Sequence, residues 1–430
     1  MKLFKYLFFV ILISSLYGCS NIEDAEQTER ETFIHFYEGT TGYNGIMATE
    51  SSAKDGFIIV GNIQKNSQET DVIVIKTDLL GNTIWSQTIP DSEVSFVKSL
   101  DDGYLVVGDR IDFNPDADRI SEINNTDAQL IKMDLDGNII QEFFRRDSVI
   151  TSTDTLRIDN HGSAVNIDAA GNMILLGSFK NPVGTNFEKS FVLSIDPSFQ
   201  IEWSQEYTLQ NRDYINTRSI HLTQNNNLLW ASTSSILSQN LSRSYLSVLY
   251  TGENSTFKNN DLYGENDSRN HSVSDINQSG FNYGVVGTYA ETNNENANIY
   301  FLLVNSTGSI IGGSERYFDG AAGVLENRDL SESQDEGKAI TGTNDGGFVI
   351  AGSLASTPTI GNGAKDIILI KLDAFGNLVW NKLIGASGDE DVNSIFETSD
   401  GGLLICGTNT VNGLATIFLI KTNRNGEIRN

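Results

Sequence analysis

The sequence predicts an all-β chain: a seven-bladed β-propeller of four-stranded blades, closed by an N-terminal strand that completes the last blade. Three observations carry this. A unit of the form Asp345-Gly346-Gly347-Phe348-Val349-Ile350-Ala351-Gly352, then Asp366 to Asp373, then Gly376-Asn377-Leu378-Val379-Trp380, recurs along the chain. Its first apolar run ends at Gly61, Gly108, Gly177, Ser232, Gly287, Gly352 and Gly407, at intervals from 47 residues (Gly61 to Gly108) to 69 (Gly108 to Gly177). Each unit holds four short segments rich in Val, Ile, Phe and Tyr, punctuated by Gly, Asp and Asn, with no sustained period of 3.6. A radially stacked four-stranded repeat of this length is a propeller, and its two ends complement each other. The last unit keeps only Glu427 to Asn430 for its outer strand, while Thr32 to Glu38 precede the first complete unit.

Taken in order, the chain begins with Lys2 and Lys5 and an apolar run from Tyr6 to Tyr17, too short to span a bilayer and shaped like a secretory signal. It ends in Leu16-Tyr17-Gly18-Cys19, which resembles the bacterial lipobox. That resemblance implies a signal peptide over 1–18, lipidation of Cys19 and insertion of its acyl chains into a lipid bilayer. Residues 19–31 read as a polar, acidic tether, and Ser20 after the cysteine implies, by the same resemblance, an outer-membrane lipoprotein facing the periplasm or the cell surface. Cys406 lies in the apolar run Leu403 to Gly407 and reads as a buried strand residue, so no disulfide framework is expected.

Residues 32–430 then read as one propeller domain. Within a unit, strand A corresponds to Asn393 to Thr398, B to Leu403 to Gly407, C to Asp366 to Leu372 and D to Leu378 to Ile384. B and C are nearly continuous apolar runs, as expected for strands packed on both faces. The unit, Asp-Gly-Gly with four apolar residues and Gly, then Lys-x-Asp-x-x-Gly-Asn-x-x-Trp, resembles the propeller repeats of exported proteins and lipoproteins of Bacteroidota. The likeness covers nearly everything after residue 31 and is weakest in the fourth unit, where Trp230-Ala231-Ser232 replaces the glycine anchor. It implies a scaffold and assigns no activity.

Composition excludes some functions. The 430 residues carry 29 Lys and Arg against 56 Asp and Glu, a formal net charge of −27. A surface this acidic repels phosphate backbones, so no nucleic-acid partner is expected. Asp134-Leu135-Asp136-Gly137-Asn138 begins like a calcium loop, but Arg145 stands where the terminal glutamate belongs, so a hairpin turn is the better reading. Thr77 to Trp85 is similar to a sialidase Asp-box with one residue too many between Asp and Gly. Trp85, Trp203 and Trp380 resemble the tryptophans of quinone-cofactor propellers, yet no cofactor ligands accompany them, and a packing role between blades is simpler. His35, His161, His221 and His271 never fall at metal-ligand spacing. Neither a nucleophile elbow nor a phosphate-binding loop is present. We therefore expect no metal and no cofactor.

Position is more informative than motif. The A-to-B and C-to-D turns are short and repetitive, whereas the B-to-C loops (Asp109–Thr126, Ser178–Lys189, Thr288–Ala297, Ser353–Lys365) vary, which marks their face for recognition. Entries to strand A read Gly42, Glu93, His161, Asn216, Ser272, Glu336 and Asp391, and two positions later Asn44, Ser95, Ser163, Arg218, Ser274, Lys338 and Asn393. Nearly all are polar and are expected at the mouth of a central channel. The candidate binding residues are Glu93, His161, Asn216, Arg218, Glu336, Lys338, Asp391 and Asn393, with no catalytic residue assigned. The leading expectation is a membrane-anchored, non-catalytic scaffold for an envelope protein or glycan; the alternative is a polysaccharide hydrolase or lyase with carboxylates at the mouth. A carboxylate converging on His161 or Arg218 favours catalysis, and a shallow polar bowl favours binding.

Overall fold

The computed structural model describes residues 30–39, 41–66, 69–113, 124–150, 155–181, 188–207, 213–223, 227–238, 241–251, 257–263, 269–291, 296–319, 325–326, 334–357, 360–385 and 387–429. All regular structure among them is β, and the fold is propeller-like: a succession of mostly four-stranded antiparallel sheets. The signal-peptide and tether residues up to 29, including Cys19, lie outside the described residues.

After β1 (Phe33–Tyr37) come β2 (Gly42–Glu50), β3 (Phe57–Gln64), β4 (Thr70–Thr77) and β5 (Thr83–Ile89), paired in that order. The next sheet is β6 (Ser92–Leu100), β7 (Gly103–Phe113), β8 (Asn124–Met133) and β9 (Ile139–Arg145). A short β10 (Asp147–Ile150) folds back on β11 (Thr155–Ile167), which leads into β12 (Met173–Lys180), β13 (Glu188–Ile195) and β14 (Ile201–Tyr207). Then follow β15 (Asp213–Leu222), β16 (Leu228–Ser238), β17 (Leu241–Thr251) and β18 (Phe257–Tyr263), and after them β19 (Asn270–Ser279), β20 (Asn282–Ala290), β21 (Ala297–Val304), β22 (Arg316–Asp319) and β23 (Leu325–Glu326). The last strands, β24 (Glu336–Gly342), β25 (Phe348–Thr357), β26 (Ile360–Leu372), β27 (Leu378–Ile384), β28 (Asp389–Glu397), β29 (Leu403–Val411) and β30 (Leu414–Thr422), form two groups joined by one parallel bridge, Lys365 to Asp389. β1 pairs antiparallel with β30, Phe33 opposite Lys421 through Tyr37 opposite Ile417.

The first strand of each group packs on the first strand of the next: β2 on β6, then β11, β15, β19, β24 and β28, and β28 on β2. Second and third strands carry most of the buried residues described, as in β4 and β21, where every residue is buried. Their side chains interleave between neighbouring sheets. Ile58, Val60, Val72 and Val74 meet Val97, Tyr104, Val106 and Ile131, while Phe57, Ile59 and Ile75 meet Leu404, Cys406, Ile417 and Leu419. Each such aliphatic side chain contributes roughly 1.5–3 kcal/mol by leaving water. Cys406 is buried and takes part in no disulfide among the described residues.

Ring side chains lock successive sheets at the turns. A Cβ added at Gly137 would meet the Trp85 ring, one at Gly426 the Trp380 ring, one at Gly376 the Phe301 ring, and one at Gly81 both Phe33 and His35. The turn glycines adopt left-handed backbone, with φ of 82° at Gly376, which favours glycine independently of the close approach. Trp85 and Trp380 thus have a packing role, and β1 supplies the equivalent rings over the first sheet.

Candidate functional site

Among the described residues, the first strands of these groups share one device. Each carries a bulge where it pairs with the second strand: Gly45/Met47, Val94/Phe96, Gly162/Ala164, Asn216/Ile220, Val273/Asp275, Gly337/Ala339 and Val392/Ser394. The residue just before each bulge lies opposite the repeat's anchor, as Val94 does opposite Gly108 and Gly337 opposite Gly352. A Cβ at an anchor glycine would run into the carbonyl oxygen one residue earlier: Asn44, Glu93, His161, Ser272, Glu336 or Asp391 for Gly61, Gly108, Gly177, Gly287, Gly352 and Gly407. The anchors are glycine because the bulged strand presses its carbonyl onto them. In the fourth group the anchor is Ser232, and there the register shift spans a longer stretch, from Asn216 to Ile220.

This register corrects two sequence assignments. In the first group the position equivalent to Glu93 is Asn44, not Gly42, and in the fourth it is Ile215, not Asn216. Asn216 and Arg218 lie on β15, and their side chains lie outside the described residues.

The remaining candidates fall into separate groups. Glu336, Lys338 and Asp391 come together: Lys338 Nζ lies 2.6 Å from Glu336 Oε2 and 3.3 Å from Asp391 Oδ1. Ser353 Oγ donates to Asp391 Oδ1 at 2.8 Å, and Lys365 Nζ stands 3.9 Å from Glu336 Oε2. Burial opposes the charge on Lys338, but Asp391 and Glu336 outweigh it and hold its pKa above the usual lysine value. Beside this cluster a cavity of about 330 Å³ opens between β19 and β24, lined by Ser272, Ser274, Thr288, Gln334, Glu336 and Lys338 among others. It offers hydroxyls, the amides of Asn270 and Gln334 and a fixed ion pair, with alanine and glycine as its apolar walls.

His161 pairs instead with Asp109, Nδ1 to Oδ2 at 2.7 Å, and the Gly162 N–H fixes the other carboxylate oxygen at 2.8 Å. Burial disfavours the imidazolium, yet Asp109 overrides it with help from Glu188 and Asp159, raising the His161 pKa to about 9. The ring is therefore protonated at neutral pH. Glu93 is exposed at the rim. Asn393 donates Nδ2 to Gly45 O at 2.7 Å, tying β28 to β2, and Ser274 similarly bonds Gly337 O. These two bulge residues stitch neighbouring sheets together.

The repeat's polar motif is mostly structural, and sequence reading missed how its parts meet. The aspartate of the first turn pairs with the lysine ending the third strand: Asp55 with Lys76 at 2.6 Å, Asp102 with Lys132 at 2.7 Å, Asp345 with Lys371 at 2.7 Å and Asp400 with Lys421 at 3.2 Å. Asp134 spends its carboxylate on its own turn, accepting from Asp136 N, Asn138 N and Asn138 Nδ2 at 2.8–3.0 Å. Asp78 and Asp373 do the same. Among the described residues no group of three or more His, Cys, Asp and Glu side chains could hold a metal ion.

No family model and no curated protein matches the sequence. A solved structure shares the fold. A polysaccharide lyase aligns with a TM-score of 0.52 at 8% identity, over 96% of this chain and 95% of its own. The Trypanosoma rangeli sialidase aligns at 0.43 and 10% identity, over 92% of this chain and 58% of the sialidase, so this chain spans little more than half of that protein's length.

Proposed function

We propose that the chain is a closed seven-bladed propeller, anchored to the outer membrane through Cys19, that binds a hydroxylated glycan without cleaving it at the mouth formed by its first strands. Pairing of β1 with β30 and packing of β28 on β2 support closure. The observation that carries the binding role is the polar cavity beside Glu336 and Lys338. Its carboxylate is neutralised by lysines, which suits a fixed donor and acceptor pair for sugar hydroxyls. A glycosidase instead needs two carboxylates facing the scissile bond, and Glu336 and Asp391 both turn to the same Lys338.

The lyase or hydrolase reading has one observation in its favour, the His161–Asp109 pair. Against it, an imidazole kept protonated to about pH 9 is a poor base at neutral pH. Arg30, the described residue nearest Cys19, is fixed by Asp400 and Glu50 at the first-turn face, opposite the mouth. Affinity electrophoresis through gels containing soluble polysaccharides, with product analysis, tests this. Retardation without new reducing or unsaturated ends is expected, and release of such ends, abolished by His161→Ala, would replace binding by catalysis. Membrane fractionation of Cys19→Ala tests the anchor: the variant should be soluble or unprocessed.

A further inference from the structure

Arg30 has an unusual setting on the face opposite the mouth. At the junction of the last sheet with the first, its guanidinium pairs through Nη1 with Glu50 and donates through Nη2 to Ser399 Oγ at 3.0 Å. Its main-chain N–H reaches Asp400 Oδ2 at 2.9 Å. The frame around it is built from repeat positions. Ser399 N donates to Glu50 Oε2 at 2.7 Å, Lys421 pairs with Asp400, and Phe33 stands opposite Lys421 across the strand pair.

The preceding junction, between β24–β27 and β28–β30, repeats this frame. Asn344 N donates to Glu397 Oε2 at 2.9 Å, as Ser399 N does to Glu50. Lys371 pairs with Asp345 as Lys421 does with Asp400, and Trp380 stands opposite Lys371 as Phe33 stands opposite Lys421. Counting from the residue opposite the anchor, Glu50 and Glu397 occupy the same place on β2 and β28. That place holds Ser99 on β6, Ile167 on β11, Gln278 on β19 and Gly342 on β24, so the carboxylate is particular to these two junctions. The difference lies in the occupant. Where Arg30 fills the one frame, the other opens as a cavity of about 330 Å³ lined by Asn344, Asp345, Trp380, Glu397 and Arg424, among others.

We propose that this cavity is a receptor for a guanidinium group, the arginine side chain of a partner polypeptide, held by Glu397 and the Trp380 ring as Glu50 and its neighbours hold Arg30. The guanidinium matches the carboxylate in planar, bidentate geometry and packs against an indole more favourably than an ammonium does. Burial, with the Asp345 charge beside it, pushes the Glu397 carboxyl above its usual range against the Asn344 N–H, Lys371 and Arg424, and an added cation would act in the lowering direction. The site lies on the face away from the glycan-binding mouth and stands independently of that reading.

The experiment titrates the full protein with N-acetyl-L-arginine amide, with the lysine and citrulline amides alongside, by calorimetry and by NMR of the Trp380 indole, assigned through Trp380→Phe. Saturable arginine binding near about 1 mM is expected, at least about fivefold weaker for lysine and absent for the uncharged citrulline, with Glu397→Gln abolishing it. No saturable binding, equal binding of citrulline, or a Glu397→Gln protein that still binds would overturn the proposal. Should Glu397→Gln fail to fold, the wild-type indole resonance decides: movement with the arginine probe alone supports the site, and no movement refutes it.

Discussion

Replacing the anchor Gly352 by alanine tests the link between repeat, bulge and mouth. A Cβ there would stand 2.6 Å from the Glu336 carbonyl oxygen and 2.7 Å from Ile299 Cδ1. Isoleucine can rotate away, but the carbonyl belongs to a strand held on both sides, so β24 or β25 must move by several tenths of an ångström. Overpacking of this kind costs about 1–3 kcal/mol, and we expect about 2. With an unfolding entropy of about 2.1 cal/mol/K per residue over roughly 400 ordered residues, that lowers the melting temperature by about 2–3 °C. Because the displaced strand carries Glu336 and Lys338, glycan retention should fall as well. Thermal unfolding by circular dichroism is the assay, with Ser232→Gly as the comparison. That anchor already accommodates a Cβ beside a wider bulge, so removing it should bring no gain in stability. An unchanged or raised melting temperature for Gly352→Ala would refute the account of the anchors.

Arg30→Ala should cost about 2 kcal/mol in chemical denaturation, because it leaves the Glu50 side chain, only 6% exposed, without its cation; a value near zero would show that Arg30 is not needed there. Burial opposes the charge on Asp400, but Thr398, the Arg30 N–H and Lys421 outweigh it and depress its pKa to about 2. Its contribution, about 2 kcal/mol, is therefore complete above the unfolded pKa near 4 and lost as pH falls toward 2, and Asp400→Asn should flatten the stability profile across that window. Glu336→Gln with Asp391→Asn should weaken glycan retention, and added salt should weaken it in parallel, with little change in melting temperature because both carboxylates are substantially exposed. Retention unaffected by the double variant would place binding elsewhere.

The strand inventory was legible because apolar runs, turn residues and glycine anchors repeat, and the second strands begin at Phe348 and Leu403 as the pattern indicates. Register was not. A bulge adds one residue to one strand only, so counting along the chain slipped by two in the first sheet, where no charged residue marks the bulge. It slipped by one in the fourth, where Ser232 replaces the anchor and the bulge is wider. The meeting of Glu336, Lys338 and Asp391 followed from equivalent positions on adjacent first strands. The His161 partner did not, since Asp109 belongs to the second strand of the preceding sheet. Arg30 read as tether because nothing in a polar stretch reveals that Glu50 and Asp400, distant in sequence, converge on it.

The central claim, a glycan held at the mouth and left uncut, is tested most directly by hydrogen exchange with mass spectrometry in the presence of a polysaccharide that retains the protein. Peptides spanning Asn270–Ala290 and Gln334–Gly342, which carry Ser272, Thr288, Glu336 and Lys338, should gain protection, while the turns at Asp134–Asn138 and Asp373–Asn377 should not. The polysaccharide should be recovered at its original length. Protection confined to the turns, or a shortened polysaccharide, would contradict the account.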